Sequence, residues 1–196
     1  MIYRYLMRPC IHDVVGRENI KELLSSKLEH FVDYRQIEDW FQLDKYRLTT
    51  LSSIDELFDI KTTPNFEVIA LYVSPYKRFF SYYLASIKSD DVLSKVSVEG
   101  FSEFFHHRDK LLFQGMITNL SEAYIETPYL QITHKLEYDT LVDDLRKIPG
   151  LESVPSDFMS AQRHLMDQYK LFYTKEIKEW VDATFVKDIQ TYGYTF

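Results

Sequence analysis

The sequence predicts an α/β fold built on a parallel sheet, and three observations carry that prediction. Phe66-Glu67-Val68-Ile69-Ala70-Leu71-Tyr72-Val73 is an almost uninterrupted apolar run of strand length, the composition of a strand buried on both faces. The pattern then changes within two residues. Ser74 is a candidate N-cap, Pro75 takes the first helical position, and Tyr76, Phe79, Phe80, Tyr83, Leu84 and Ile87 recur at helical spacing. Third, the 196 residues are 45% hydrophobic and 16% aromatic, enough for one domain over residues 1–196 with a sizeable core and too apolar for a disordered chain. A buried strand that runs straight into a helix presents free N–H groups and the positive end of the helix dipole to an anion.

Bulk properties exclude several function classes. The net charge of −7 argues against a nucleic-acid partner held by bulk positive charge, while leaving room for a local basic pocket. The single cysteine, Cys10, rules out an internal disulfide framework and fits a reducing compartment. No window approaches the roughly 18 apolar residues of a membrane span, and no signal-peptide core is visible at the N-terminus. The expectation is therefore a cytoplasmic protein with no membrane partner.

Taken in order, Ile2 to Met7 alternate as a first short strand ending at Arg8-Pro9. Asn19 then caps a helix with the stripe Ile20, Leu23, Leu24, Leu28 and Phe31, and Glu22 takes the capping-box position. The intervening loop, Cys10 to Glu18, carries His12 and Arg17 and follows Arg8, so three cationic candidates cluster at a strand-to-helix connection. The plainer reading is a solvated loop whose arginines pair with Asp13 and Glu18. Helical patterns over Ile37 to Leu43 and Ser53 to Ile60 flank a candidate strand at Tyr46 to Leu51, and Lys61 to Asn65 is turn chemistry leading into the central strand.

Beyond the central helix, Ser89-Asp90-Asp91 breaks the pattern and Gly100 to Phe105 reads as a short helix. His106 and His107 follow; adjacent positions do not share a helix face, so they fit an exposed helix end better than a metal site. Tyr129 to Leu136 alternates as a last strand, and Glu137 to Leu145 reads as a helix with solvated acids that Pro149-Gly150 ends. Gly150 to Lys170 reads as a loop containing Arg163, His164 and Lys170. Thr174 caps a final helix with the stripe Ile177, Trp180, Val181, Phe185 and Ile189, and Gly193 takes the C′ position.

Two stretches resemble a known family. Tyr72-Val73-Ser74-Pro75-Tyr76-Lys77-Arg78-Phe79-Phe80-Ser81-Tyr82-Tyr83 is similar to the V-R-[DN]-P-[FY]-x-R-h-h-S-x-Y motif (h, apolar) of the carbohydrate-type sulfotransferases, with Pro75, Tyr76, Arg78, Ser81 and Tyr83 matching and Val73 in the place of the first arginine. Tyr173 to Tyr194 resembles the family's closing segment, Y-T-x-E-h-x-x-h-h-x-x-h-[FY]-x-x-D-h-x-x-[FY]-G-Y. Gly100 to Phe105 resembles its S-F-x-x-F helix, and Glu137 to Leu145 its E-x-L-x-x-D-L helix.

The resemblance implies a P-loop-NTPase-like three-layer fold, with helices on both sides of a central parallel sheet. It also implies transfer of a sulfuryl group from 3′-phosphoadenosine 5′-phosphosulfate, a co-substrate, to a hydroxyl or amine of a carbohydrate or small molecule, without a metal. On that basis Ser81 and Arg78 attend the donor's 3′-phosphate, Arg163 lies on a loop that covers the nucleotide, and Arg8 or Arg17 faces the 5′-phosphosulfate. His12 is the candidate for proton transfer, since imidazole titrates near neutral pH. Golgi members carry an anchor, so a chain without one is expected to be a bacterial or viral version or an excised domain, and the starting Met1 favours the former.

The N-terminal loop lacks the family's lysine and small residues after Pro9. The alternative expectation is accordingly the same fold without the reaction, a binding or assembly module that presents its 15 tyrosines to a glycan or protein. A nucleotide kinase is disfavoured because G-x-x-x-x-G-K-[ST] occurs nowhere.

Overall fold

The computed structural model describes residues 3–7, 23–28, 31–33, 66–87, 95–108, 119–128, 131–158 and 160–196. It is a mixed α/β structure. Strands β1 (Tyr3–Met7), β2 (Phe31–Asp33), β3 (Phe66–Tyr72) and β4 (Ile132–Glu137) form one parallel sheet in the order β2-β1-β3-β4. β1 and β3 pair from Tyr3 opposite Phe66 to Met7 opposite Ala70, and β3 pairs with β4 through an irregularity between Val68 and Ile69. The chain leaves β1 toward β2 on one side and returns to β3 on the other, so the strand order reverses between β1 and β3. In open parallel sheets, ligands bind outside the carboxyl ends of the strands at such a reversal.

The central run behaves as its composition requires. Val68, Ile69, Ala70 and Leu71 are all buried, whereas β4, at one end of the described sheet, is only half covered. The helices that follow β3 are α1 (Pro75–Ser86), α2 (Val98–His106) and α3 (Leu120–Ala123). α1 starts where expected: Ser74 Oγ accepts the Lys77 N–H at 3.3 Å, and Pro75 stands in the first turn, where a missing N–H costs nothing. Its apolar stripe enters an aromatic core in which Phe79 meets Phe101 and Trp180, and Phe80 stacks on Phe172. Gly100 lies in α2 because a Cβ there would come within 2.5 Å of the Tyr83 hydroxyl, which bonds the backbone of the α2 cap Ser97. His106 ends α2 and His107 caps it, both exposed.

Past β4 come a 3-10 turn at Tyr138–Thr140, α4 (Leu141–Leu145), α5 (Ser160–Asp167), a second 3-10 turn at Tyr169–Phe172, α6 (Lys175–Thr184) and α7 (Val186–Tyr192). Four sequence expectations change here. Phe31, placed in a helix stripe, lies in β2 instead, paired with Arg4 of β1. The helix expected from Glu137 begins with the 3-10 turn, because Glu137 is still in the β4 ladder. The expected loop from Gly150 to Lys170 contains α5, held by burial of Leu165 and Met166 with Tyr169 just beyond it. The last helix is two, joined at Phe185, whose ring is fully buried.

Asp144 is a fifth correction. Read as a solvated acid, it is buried and accepts hydrogen bonds from the Glu137 N–H at 3.0 Å, Thr140 Oγ1 at 2.8 Å and Lys147 Nζ at 2.6 Å. It joins the end of β4 to α4. The readings over Cys10 to Glu18, Ile37 to Leu43, Tyr46 to Leu51, Ser53 to Ile60 and Lys61 to Asn65 lie outside the described residues, as does the Asn19 cap.

Candidate functional site

A cavity of about 390 Å³ opens at the carboxyl edge of the sheet, where β3 passes into α1 and β4 into its 3-10 turn. Its lining includes Ser74, Lys77, Asp139, Asp167, Tyr169 and Lys170. The segment Gly193 to Thr195 closes another part of the wall. The volume falls within the usual range of small-molecule sites, about 300–1,000 Å³.

Lys77 is the centre of this site. It stands in the first turn of α1 with its side chain only 9% exposed, and its Nζ donates to Asp139 Oδ1 and, at 2.8 Å, to Asp167 Oδ1. The two carboxylates are themselves mostly open to solvent. The ammonium also lies 5.6 Å from the Tyr138 ring centre and 6.0 Å from that of Tyr169. Burial, with the charges of Asp139 and Asp167 beside it, pushes the Tyr169 phenol up to about 12, so at neutral pH it is a hydrogen-bond donor with no charge. The Tyr138 phenol is raised chiefly by burial, and its hydroxyl has no hydrogen-bond partner among the described residues. One buried cation, two open carboxylates and a neutral phenol can hold a polar ligand by both donors and acceptors.

Arg78, one residue on, points elsewhere. Its NH2 donates to Asp188 Oδ2 at 2.9 Å; the side chains are 1% and 0% exposed. Asp188 also accepts from the backbone N–H groups of Leu120 and Ser121 and from the Ser121 hydroxyl, each at 2.8 Å. Those two N–H groups belong to the first turn of α3, so Asp188 acts there as a cap from a distant helix. The guanidinium also packs 4.7 Å from the Phe185 ring centre. Its Nε and NH1 are buried without a hydrogen-bond partner among the described residues.

The residues selected from the sequence divide accordingly. Ser81 is fully buried, and its hydroxyl donates to the Arg78 carbonyl of its own helix at 2.6 Å. Ser81 and Arg78 therefore have partners inside the fold and line no described cavity. Arg163 does come to the site's margin, where its NH2 donates to the Asp139 carbonyl at 2.5 Å. Arg8, His12 and Arg17 lie outside the described residues. Val73, at the place of the family's first arginine, is 1% exposed and part of the hydrophobic core.

Sequence reading missed Lys77, Asp139, Asp167 and Tyr169. Lys77 falls at an unspecified position of the motif, and its two partners lie 62 and 90 residues away, beyond any local periodicity. Among the described residues no group of three or more His, Cys, Asp or Glu is placed to hold a metal ion, and no helix is long and apolar enough to cross a membrane.

The two stretches that carried the family resemblance fold against each other. Besides Arg78 with Asp188, the Tyr76 hydroxyl donates to Asp182 at 2.6 Å and the Tyr173 hydroxyl to the Tyr76 carbonyl at 2.8 Å. The fold and site thus define a parallel α/β protein with a polar cavity at the sheet's carboxyl edge. No family model, curated protein or solved structure matches the chain.

Proposed function

We propose that the chain is a sulfotransferase-like protein of P-loop-NTPase-like three-layer fold, which takes a sulfuryl group from 3′-phosphoadenosine 5′-phosphosulfate to a hydroxyl or amine of a carbohydrate or small molecule. The observation that carries this reading is the start of α1: a Ser74-capped helix N-terminus at the carboxyl end of a buried parallel strand, on a cavity that also holds Lys77. That is where backbone N–H groups and the helix dipole favour a phosphate. The resemblance of the central and closing stretches supplies the reaction class.

In this reading the donor's phosphate end meets the first turn of α1, with Lys77, Lys170 and Arg163 as the nearby cations. Ser81 and Arg78 hold α1 in place from inside. Transfer forms the bond from acceptor oxygen or nitrogen to sulfur as the bond from sulfur to the 5′-phosphate oxygen breaks. The acceptor's proton passes to a base, for which His12 is the candidate, with Arg8 or Arg17 as the candidate cation for the transferred group.

A second reading keeps the fold and drops the reaction. It is favoured by the pairing of Lys77 with two carboxylates, which balance the one buried cation of the cavity. Thermal unfolding with adenosine 3′,5′-bisphosphate separates the two. A ligand at a hundred times its Kd adds about 2.7 kcal/mol, or roughly 5–10 °C for a chain of this size. A wild-type protein that shows no shift at millimolar ligand loses the donor site and with it the first reading.

A further inference from the structure

The last four residues of the sequence cross the cavity edge and are fastened at both ends. Gly193 ends α7 in the left-handed conformation (φ 69°), where a side chain would be strained, and so turns the chain away from the helix. Tyr194 donates its hydroxyl to Glu137 Oε2 at 3.3 Å, at the end of β4. Phe196 enters an aromatic box, with ring centres 5.1 Å from Tyr76, 5.7 Å from Tyr169 and 5.3 Å from Tyr173. All three contacts are edge-on or tilted, the arrangements in which aromatic quadrupoles attract. Lys170 and Lys178 each stand 5.4 Å from the same ring.

Gly193, Tyr194 and Thr195 form cavity wall alongside Lys77. The box itself is built from the first turn of α1 (Tyr76) and the 3-10 turn after α5 (Tyr169), the same two regions that supply Lys77 and, next to the turn, Asp167. One aromatic anchor therefore ties the strap to both sides of the lysine's ion pair.

We propose that Phe196 is a positioning residue that holds the Gly193 to Thr195 strap over the cavity and thereby sets access to Lys77. The inference rests on this geometry alone and stands whichever ligand the cavity takes.

The test is the acylation rate of individual lysines by a water-soluble acetylating reagent, read by peptide mass spectrometry on the full chain. Phe196→Ala raises labelling of Lys77 about tenfold, as expected when a local closed state is released, while labelling of the exposed Lys147 and Lys175 stays at the wild-type rate. Phe196→Tyr, which keeps the ring, restores protection. Leu151→Ala, a core change beside the other described cavity, controls for general loosening. Tyr194→Phe releases the other fastening and gives a smaller, equally selective rise, which keeps the test available if Phe196→Ala does not fold. The proposal is overturned if Lys77 labels at the wild-type rate in a folded Phe196→Ala protein, or if the rise is shared by the control lysines and reproduced by Leu151→Ala. A failure to bind adenosine 3′,5′-bisphosphate bears on the proposed function and leaves this result untouched.

Discussion

Lys77 and Arg78 are neighbours in the chain, yet one lines a cavity and the other is enclosed in the interior. Successive helix positions point about 100° apart, so one side chain enters the cavity at the sheet edge and the other the interior beside Phe185. Lys77 meets two carboxylates that remain largely in water; Arg78 meets one that is fully enclosed. The contrast teaches that neighbouring cations of one helix turn can be divided between a cavity and the interior. Arg78, the motif residue, joins α1 to α7 and α3 through Asp188, while the unspecified position beside it carries the polar group that lines the site.

The largest expected effect comes from breaking the enclosed pair. Asp188→Ala leaves the guanidinium buried without a counter-charge and uncaps α3, and removal of one partner from a buried pair costs about 3–5 kcal/mol. Urea unfolding should therefore show a large fall in midpoint. A change below about 1 kcal/mol would mean that water reaches Arg78 and that the contrast drawn between the two cations is false.

Next in size is Lys77→Met. It leaves two solvent-facing aspartates that can hydrate freely, so unfolding free energy should move by only about 1 kcal/mol. If the cavity takes the sulfate donor, the thermal shift with adenosine 3′,5′-bisphosphate should shrink at least tenfold in apparent affinity, as for loss of a charge-assisted contact. An unchanged affinity would move the ligand away from this side chain.

A smaller effect is expected in acid. Burial opposes ionisation of Asp144, but hydrogen bonds from Lys147, the Glu137 N–H and Thr140 outweigh it and hold the carboxyl below its ordinary 3.8. Asp182 behaves alike: burial again works against the charge, and Lys178 with the Tyr76 hydroxyl lowers it. For a group lowered in the folded state, the stabilisation is present above the unfolded value and is lost as pH falls through the folded one. Stability should accordingly decline between about pH 5 and pH 2, and Asp144→Asn should flatten that slope in a series of urea midpoints.

The smallest effect belongs to Ser81→Ala. Its hydroxyl returns to a carbonyl of its own helix, so the change should cost less than about 1.5 kcal/mol and leave the response to adenosine 3′,5′-bisphosphate unaltered. A selective loss of that response would return Ser81 to the ligand.

Local signals were legible where chemistry and periodicity coincide. Ser74-Pro75, Thr174 and Gly193 each took the capping role that their residue types require, and Phe66 to Tyr72 became the buried strand. Positions that depend on distant partners were not legible. Asp188 draws its donors from residues 67 to 110 positions away, Asp144 is closed in where β4 meets α4, and the α5 segment is short and polar on average, so it reads as a loop.

The sequence by itself determined the strand-to-helix passage at Val73 to Pro75, the aromatic stripes and the helix ends, because each follows from backbone preferences and apolar spacing within a few residues. Only the tertiary structure decided that Lys77 rather than Arg78 or Ser81 lines the cavity, and that Gly193 to Thr195 form part of its wall. Those assignments depend on which face of α1 packs inward and on partners far along the chain, and neither is encoded in local spacing.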